Sequence, residues 1–189
     1  MKPWARYLIC IALGLIVGVL YAAWVVRAGT LGSGTAIGAW RTGTDFGSQD
    51  QSARTRAVVA LRGLLALPAR EARYYTAATD DAGRPLDGRC RYRVTGGALP
   101  ARWWSLTLYD GAGYLAGDGP YSIGSASLSP AEQERWTVLI APTPQPGHWL
   151  PTAKLDRFEL TLRTYLPADA GRTSPARDQL PSIRQEACA

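Results

Sequence analysis

A run of 20 residues from Tyr7 to Val26 carries no charge. At about 1.5 Å per residue, a helix of that length spans about 30 Å, the hydrocarbon thickness of a bilayer. The run divides the chain into a short basic stub, with Lys2 and Arg6, and a polar remainder that begins at Arg27. Basic residues ahead of the run place the amino terminus in the cytoplasm and the rest outside. Trp4, Tyr7 and Trp24 stand near its two ends, where aromatic rings favour the membrane interface. Gly14 and Gly18 form a Gly-x-x-x-Gly pair, a pattern too common in apolar segments to argue helix pairing. A cleaved signal peptide ending near Val26-Arg27-Ala28 is the competing reading. The run exceeds the roughly 7–15 residues of a signal core, which favours an uncleaved anchor. Either reading exports the remainder. The expected location is a bacterial inner membrane, single-pass, with the main domain periplasmic.

The remainder has the composition of a folded domain: hydrophobic residues make up 47% of the chain and charged residues 19%. Without Lys2, Arg6 and Arg27 the chain holds 18 basic and 15 acidic residues, a net charge of +3. That excess is too small to argue for nucleic acid. One histidine and three cysteines leave little material for a metal site, and no cofactor is expected. Cys10 lies in the anchor. Cys90 and Cys188 lie in the exported part, where thiols oxidise, and are predicted to form a disulfide tying the carboxy terminus to an early strand.

The sequence reads as three parts: stub and anchor over 1–28, a Gly-rich spacer over 29–49, and an exported domain over 50–189. Gly29 to Gly47 holds six glycines with several Ser and Thr residues, the composition of a flexible linker, within which Trp40 could dock on the fold or sit near the lipid surface. An amphipathic helix follows, capped by Asp50 or Ser52 and ended by Pro68. Ala57, Val58, Leu61, Leu64 and Leu65 share one face, with Arg54, Arg56 and Arg62 opposite.

From Tyr74 onward the period changes to two. Cys90, Tyr92 and Val94 alternate with Arg89, Arg91 and Arg93. Trp104, Leu106 and Leu108 alternate with Trp103, Ser105, Thr107 and Tyr109. Asp110-Gly111 signals a hairpin turn toward Tyr114-Leu115-Ala116. Ser129-Pro130-x-Glu132 is a capping box. Trp136–Ala141 and Arg157–Leu166 read as further strands, the second with Phe158, Leu160 and Leu162 on one side. The stretch from Pro167 to Pro181 reads as an irregular tail. About six strands with turns between them predict a mainly β fold, an antiparallel β-sandwich or jelly-roll-like domain, preceded by one transmembrane and one amphipathic helix.

The run Arg102-Trp103-Trp104-Ser105-Leu106-Thr107-Leu108-Tyr109-Asp110 resembles domain-of-unknown-function family 1214. Pro85-Leu86-Asp87-Gly88, Gly113-Tyr114-Leu115, Trp149-Leu150-Pro151 and Leu160-Thr161-Leu162-Arg163-Thr164-Tyr165-Leu166-Pro167 support the resemblance by their order. It covers roughly residues 68 to 167. It implies a β-sandwich and no established reaction. In longer members the domain follows a second one, family 1254, where this chain reads as having an anchor and a helix.

Candidate chemistry is sparse. His148 as a general base needs a nucleophile and an orienting carboxylate, such as Ser105 with Asp110, and no nucleophile elbow surrounds any serine. A loop histidine stacked on an aromatic is the simpler role. Asp80, Asp81, Asp110 and Asp118 adjoin turns, and turn chemistry accounts for them unless two meet across a cleft. Arg89, Arg91 and Arg93 form a stripe suited to phosphate or carboxylate groups, or to acidic neighbours such as Glu159. Trp103, Tyr109 and Tyr114 form an aromatic platform suited to sugar rings or a protein partner. The expected function is non-enzymatic binding of an envelope glycan, lipid or protein, with an exported glycan or ester hydrolase as the alternative.

Overall fold

A computed structural model describes residues 3–27, 34–43, 47–48, 51–61, 67–115, 119–169 and 175–188. The apolar run forms helix α1 (Pro3–Arg27). Its Pro3–Trp24 stretch has a mean hydropathy of 2.3, and none of that stretch is buried. A helix that is apolar all round and packs into no core is long and apolar enough to cross a membrane.

The spacer expectation is corrected for part of its length. Strands β1 (Thr35–Ile37) and β2 (Trp40–Thr42) form a hairpin, and β2 joins the main sheet through Arg41 opposite Thr76. Trp40 decides this. Its side chain is fully buried, and the indole N–H donates to the Pro181 carbonyl at 2.7 Å. Burying so large a ring outweighs the entropy of a glycine-rich segment. Gly38 turns the hairpin at φ 63°, and the Arg177 side chain occupies the space a Cβ would need.

Helix α2 (Ala53–Leu61) starts where expected. Ser52 caps it, its hydroxyl accepting the Thr55 N–H at 3.1 Å. Asp50, the Val58 and Leu61 side chains, and residues 62–66 with Arg62, Leu64 and Leu65 lie outside the described residues.

The remaining strands are β3 (Ala72–Ala77), β4 (Cys90–Gly97), β5 (Ala101–Asp110), β6 (Ser122–Gly124), β7 (Arg135–Ala141), β8 (Trp149–Pro151), β9 (Phe158–Pro167) and β10 (Ser182–Cys188). The short helix α3 (Pro130–Glu134) sits on the predicted capping box. A six-stranded sheet has the order β1-β2-β3-β9-β5-β6, and a four-stranded sheet the order β10-β4-β7-β8. Every pairing is antiparallel except β7 with β8. Tyr114 and Leu115 form no strand, and a single bridge joins Leu115 to Tyr109; Ala116 lies outside the described residues. The tail expectation stops at Pro181, because Ser182 onward pairs with β4.

The core lies between the sheets. Trp104, Leu106 and Leu108 of β5 and Phe158, Leu160 and Leu162 of β9 meet Tyr92, Val94, Trp136, Val138 and Ile140 of the smaller sheet. Trp104 stacks on Trp136 with centroids 4.5 Å apart. Gly96 lies beside Trp136 so closely that an added Cβ would meet the ring at 2.2 Å.

Two polar devices hold the loops. Cys90 and Cys188 are bonded and sit opposite each other in the β4–β10 register, closing a sequence separation of 98 residues. Asp80, 1% exposed, accepts the Ala82 and Arg84 backbone N–H groups at 2.9 Å each and the Arg84 guanidinium at 2.8 Å. Burial pushes its carboxyl upward, but the Arg84 bonds and the backbone donors outweigh it and hold it below the ordinary value.

Replacing Cys90 and Cys188 together by serine is expected to lower the unfolding free energy by about 4–5 kcal/mol in denaturant melts. A change below about 1 kcal/mol would mean that strand pairing alone holds β10. Asp80→Asn is expected to cost about 2 kcal/mol at neutral pH. The wild-type advantage is present above 3.8, the ordinary value, and fades as pH falls through the lower folded value. Melts of both proteins down to about pH 3 check this, and parallel curves would contradict it.

Candidate functional site

The same alternation that buries the leucines of β5 and β9 sends a second set of side chains to the outer face of the six-stranded sheet. In register across the two strands stand Trp103 with Tyr165, Ser105 with Arg163, Thr107 with Thr161, and Tyr109 with Glu159. On the other side of β9, β3 adds Tyr74 opposite Arg163 and Thr76 opposite Thr161. Trp103 is 39% exposed, and its ring lies against Tyr165 with centroids 4.8 Å apart. Arg163 donates to the Thr107 hydroxyl at 3.1 Å and to the Tyr109 hydroxyl at 2.7 Å. Its guanidinium carbon stands 5.4 Å from the Tyr109 ring centre. Burial pushes the Tyr74 phenol above its ordinary value, so it keeps its proton at neutral pH. Tyr109, Arg163 and Tyr165 are half-buried and Trp103 is exposed, whereas Tyr74, Thr76, Ser105, Thr107 and Thr161 between and beside them are buried. The accessible groups form a strip of aromatic faces with a guanidinium held between them.

Of the residues singled out in the sequence, Trp103 and Tyr109 come together on this strip. Tyr114 stands apart in the loop after β5, largely exposed, with its N–H held by the Asp110 carboxylate at 2.8 Å. Arg91 and Arg93 belong to β4 of the other sheet, and Arg89 lies in the turn just before it, so the expected three-residue stripe is shortened. Arg91 reaches Glu186 of β10 at 2.9 Å, and Arg93 pairs with the same carboxylate. Arg89 grips Asp87 through two bonds at 3.0 and 2.6 Å and holds that carboxyl well below the carboxylate range. The acidic neighbour of the stripe is therefore Glu186 rather than Glu159. Arg163, Tyr165 and Tyr74 were missed as site residues. The period-two pattern of β9 places Arg163 and Tyr165 opposite its leucines, and that signal was available in the sequence.

The hydrolytic candidates do not assemble. The Asp110 carboxylate accepts the Ala112 and Tyr114 N–H groups at 2.9 and 2.8 Å, which is turn chemistry. Asp118 lies outside the described residues. His148 stands in a groove of about 460 Å³ with Arg93, Glu132, Arg135 and Thr137, without Asp110 or Ser105. Its Nε2 lies 3.1 Å from the Glu132 carboxylate. Glu132 also accepts the Ser129 hydroxyl and N–H at 2.6 and 2.8 Å. These Ser129 bonds, with His148 adding to them, pull the Glu132 carboxyl down to about 2. Among the described residues no cluster of His, Cys, Asp and Glu fits a metal ion.

No curated protein matches the chain. Among solved structures, the VPA0106 protein from Vibrio parahaemolyticus aligns with a TM-score of 0.59 and 20% identity over 98% of this chain and 46% of that one. An uncharacterized protein from Burkholderia cenocepacia aligns with a TM-score of 0.47 and 19% identity over 61% of this chain and 30% of its own. The chain thus spans less than half the length of either, and the Vibrio likeness speaks to the fold. The family described as protein of unknown function (DUF1214) matches residues 71–169, just over half the chain, from the start of β3 to the end of β9. On that match, and on the sandwich that carries it, the chain belongs to the DUF1214 family.

Proposed function

We propose that this chain is a membrane-anchored, exported binding domain whose six-stranded sheet takes an envelope glycan on its outer face. The observation that carries the reading is the accessible Trp103–Tyr165 pair on the same sheet face as Arg163 and Tyr109, which are half-buried and bonded to each other. Sugar rings stack their C–H faces on aromatic rings and exchange hydrogen bonds with arginine and hydroxyl groups. Trp103 and Tyr109 stand about 20 Å apart along β5 at 3.3–3.4 Å per residue, a span that an oligosaccharide can bridge. Arg163 adds a preference for acidic sugars. Arg89 is engaged by Asp87, and Arg91 and Arg93 of the second sheet by Glu186, so this reading leaves them out.

The anchor follows from α1. Its length and the basic Lys2 and Arg6 ahead of its apolar run support retention in the membrane with the amino terminus in the cytoplasm. The Cys90–Cys188 bond agrees with an oxidising compartment for the domain. The hydrolase alternative draws on His148 and Glu132. A general acid for glycoside cleavage needs a raised carboxyl. Glu132 is held at about 2 and has no proton to give near neutrality.

The full chain in detergent micelles, titrated calorimetrically with neutral and acidic envelope oligosaccharides, tests the binding. Trp103→Ala is expected to weaken the best ligand at least about tenfold, or about 1.4 kcal/mol, with little change in melting temperature. Equal affinity in the variant would remove the strip as the site. A carboxyl titration followed by NMR is expected to find Glu132 near 2, and Ser129→Ala is expected to move it toward 4.5. A Glu132 midpoint well above 4.5 would reopen the acid role.

A further inference from the structure

The outer face of the four-stranded sheet carries cations that its own acids leave open. On β7 the outward residues run Arg135, Thr137 and Leu139; across on β4 they meet Gly97, Thr95 and Arg93 in turn. Arg93 donates its Nε–H to Glu186, and among the described residues its two terminal nitrogens have no partner. Glu186 thus fixes the side chain of Arg93 and leaves its outer end open. Arg135 is exposed and has no hydrogen bond or ion pair among the described residues, and the Thr137 hydroxyl has none either. All three line the groove of about 460 Å³ that also holds the His148–Glu132 pair. Glu132 is the one acid in that lining, and its oxygens are taken by Ser129 and His148. On the far side of Arg93, Arg184 of β10 stands directly opposite it, exposed and without a partner among the described residues. Like charges in that position repel each other, and a bound anion would relieve the repulsion.

We propose that this groove binds the phosphoryl group of a small phosphate monoester, with the Arg93 and Arg135 guanidinium groups and the Thr137 hydroxyl as its donors. Arg135 and Leu139 stand about 13 Å apart along β7, with Thr137 midway and Arg93 beside Leu139. Long side chains from the two ends can meet one group held over Thr137. A planar carboxylate is satisfied by the fork of a single arginine. A phosphoryl group turns oxygens to several sides at once and carries close to two negative charges at neutral pH. Donors that approach from two directions therefore favour phosphate over carboxylate. Leu139 and Pro146 give the groove an apolar wall for the organic part of the ester. Its volume falls within the roughly 300–1,000 Å³ of small-molecule sites, which is more than a bare ion needs. The groove is separate from the glycan strip, because the two lie on the outer faces of different sheets.

The test uses the full chain in detergent micelles and phenyl phosphate as the probe, with benzoate as the planar control. Saturable binding of phenyl phosphate is expected, with benzoate at least about tenfold weaker. Arg135→Gln is expected to weaken phenyl phosphate at least about tenfold at an unchanged melting temperature, since Arg135 holds nothing else. Arg54→Gln removes one exposed positive charge from α2 and is expected to leave the affinity unchanged. The same titration in nanodiscs containing phosphatidate separates two sources of the phosphoryl group: competition there assigns a lipid headgroup, and undiminished binding assigns a soluble ester. Three results would each overturn the proposal: no saturable binding of phenyl phosphate, equal affinity for benzoate, or equal losses in Arg135→Gln and Arg54→Gln.

Discussion

Strand β9 pairs with β3 along one edge and β5 along the other, and the rest of the molecule depends on that register. Phe158, Leu160 and Leu162 face the second sheet, and Glu159, Thr161, Arg163 and Tyr165 face away. A slip by one residue would put Arg163 in the core and Leu160 and Leu162 outside. The burial of the leucines therefore fixes the address of Arg163. The outer strip is a consequence of core packing rather than a separate construction. The inward series of the same strand passes from Leu162 to Thr164, which begins the polar end of the interior. One strand thus supplies both the core and the outer strip.

The chain ends are fastened to this frame by long-range contacts. Trp40 crosses from the first hairpin to Pro181. Asp81 accepts the Ile183 N–H at 2.9 Å and the Arg177 guanidinium at 2.6 Å, which sets the start of β10. The disulfide then holds its end. Each contact joins segments far apart in sequence, so each removes conformational freedom from the unfolded chain that local structure alone would leave. The smaller sheet needs them, because β10 presents few apolar side chains of its own: of its described residues only Ile183 belongs to the core.

Local signals in the sequence were read well. The alternations of β4 and β5, the capping box at Ser129 and Glu132, the Asp110 turn and the Cys90–Cys188 pair all appear in the structure. Each depends on neighbours within a few residues or, for the cysteines, on there being two candidates in an oxidising compartment. The elements that escaped depend on distant partners. The β1–β2 hairpin looks like a linker because its stabilisation comes from Trp40 meeting Pro181. Strand β10 has no clean alternation, although the predicted disulfide already placed it beside β4. The salt bridges of Arg91 and Arg93 to Glu186, and the His148–Glu132 hydrogen bond, follow from strand order and loop placement, which period-two patterns do not encode.

The tryptophans offer a direct test of the central claim that the outer strip is the binding face. The indole N–H groups of Trp40, Trp136 and Trp149 are tied to the Pro181, Gly97 and Ala141 carbonyls, and Trp104 is buried in the core, whereas Trp103 lies exposed on the strip. An NMR titration that resolves the indole N–H signals, run with the tightest-binding oligosaccharide, separates them. The account predicts a saturating shift of Trp103 with Trp40, Trp136 and Trp149 unmoved. A saturating shift of Trp149 with Trp103 unchanged would place the ligand on the four-stranded side and contradict it.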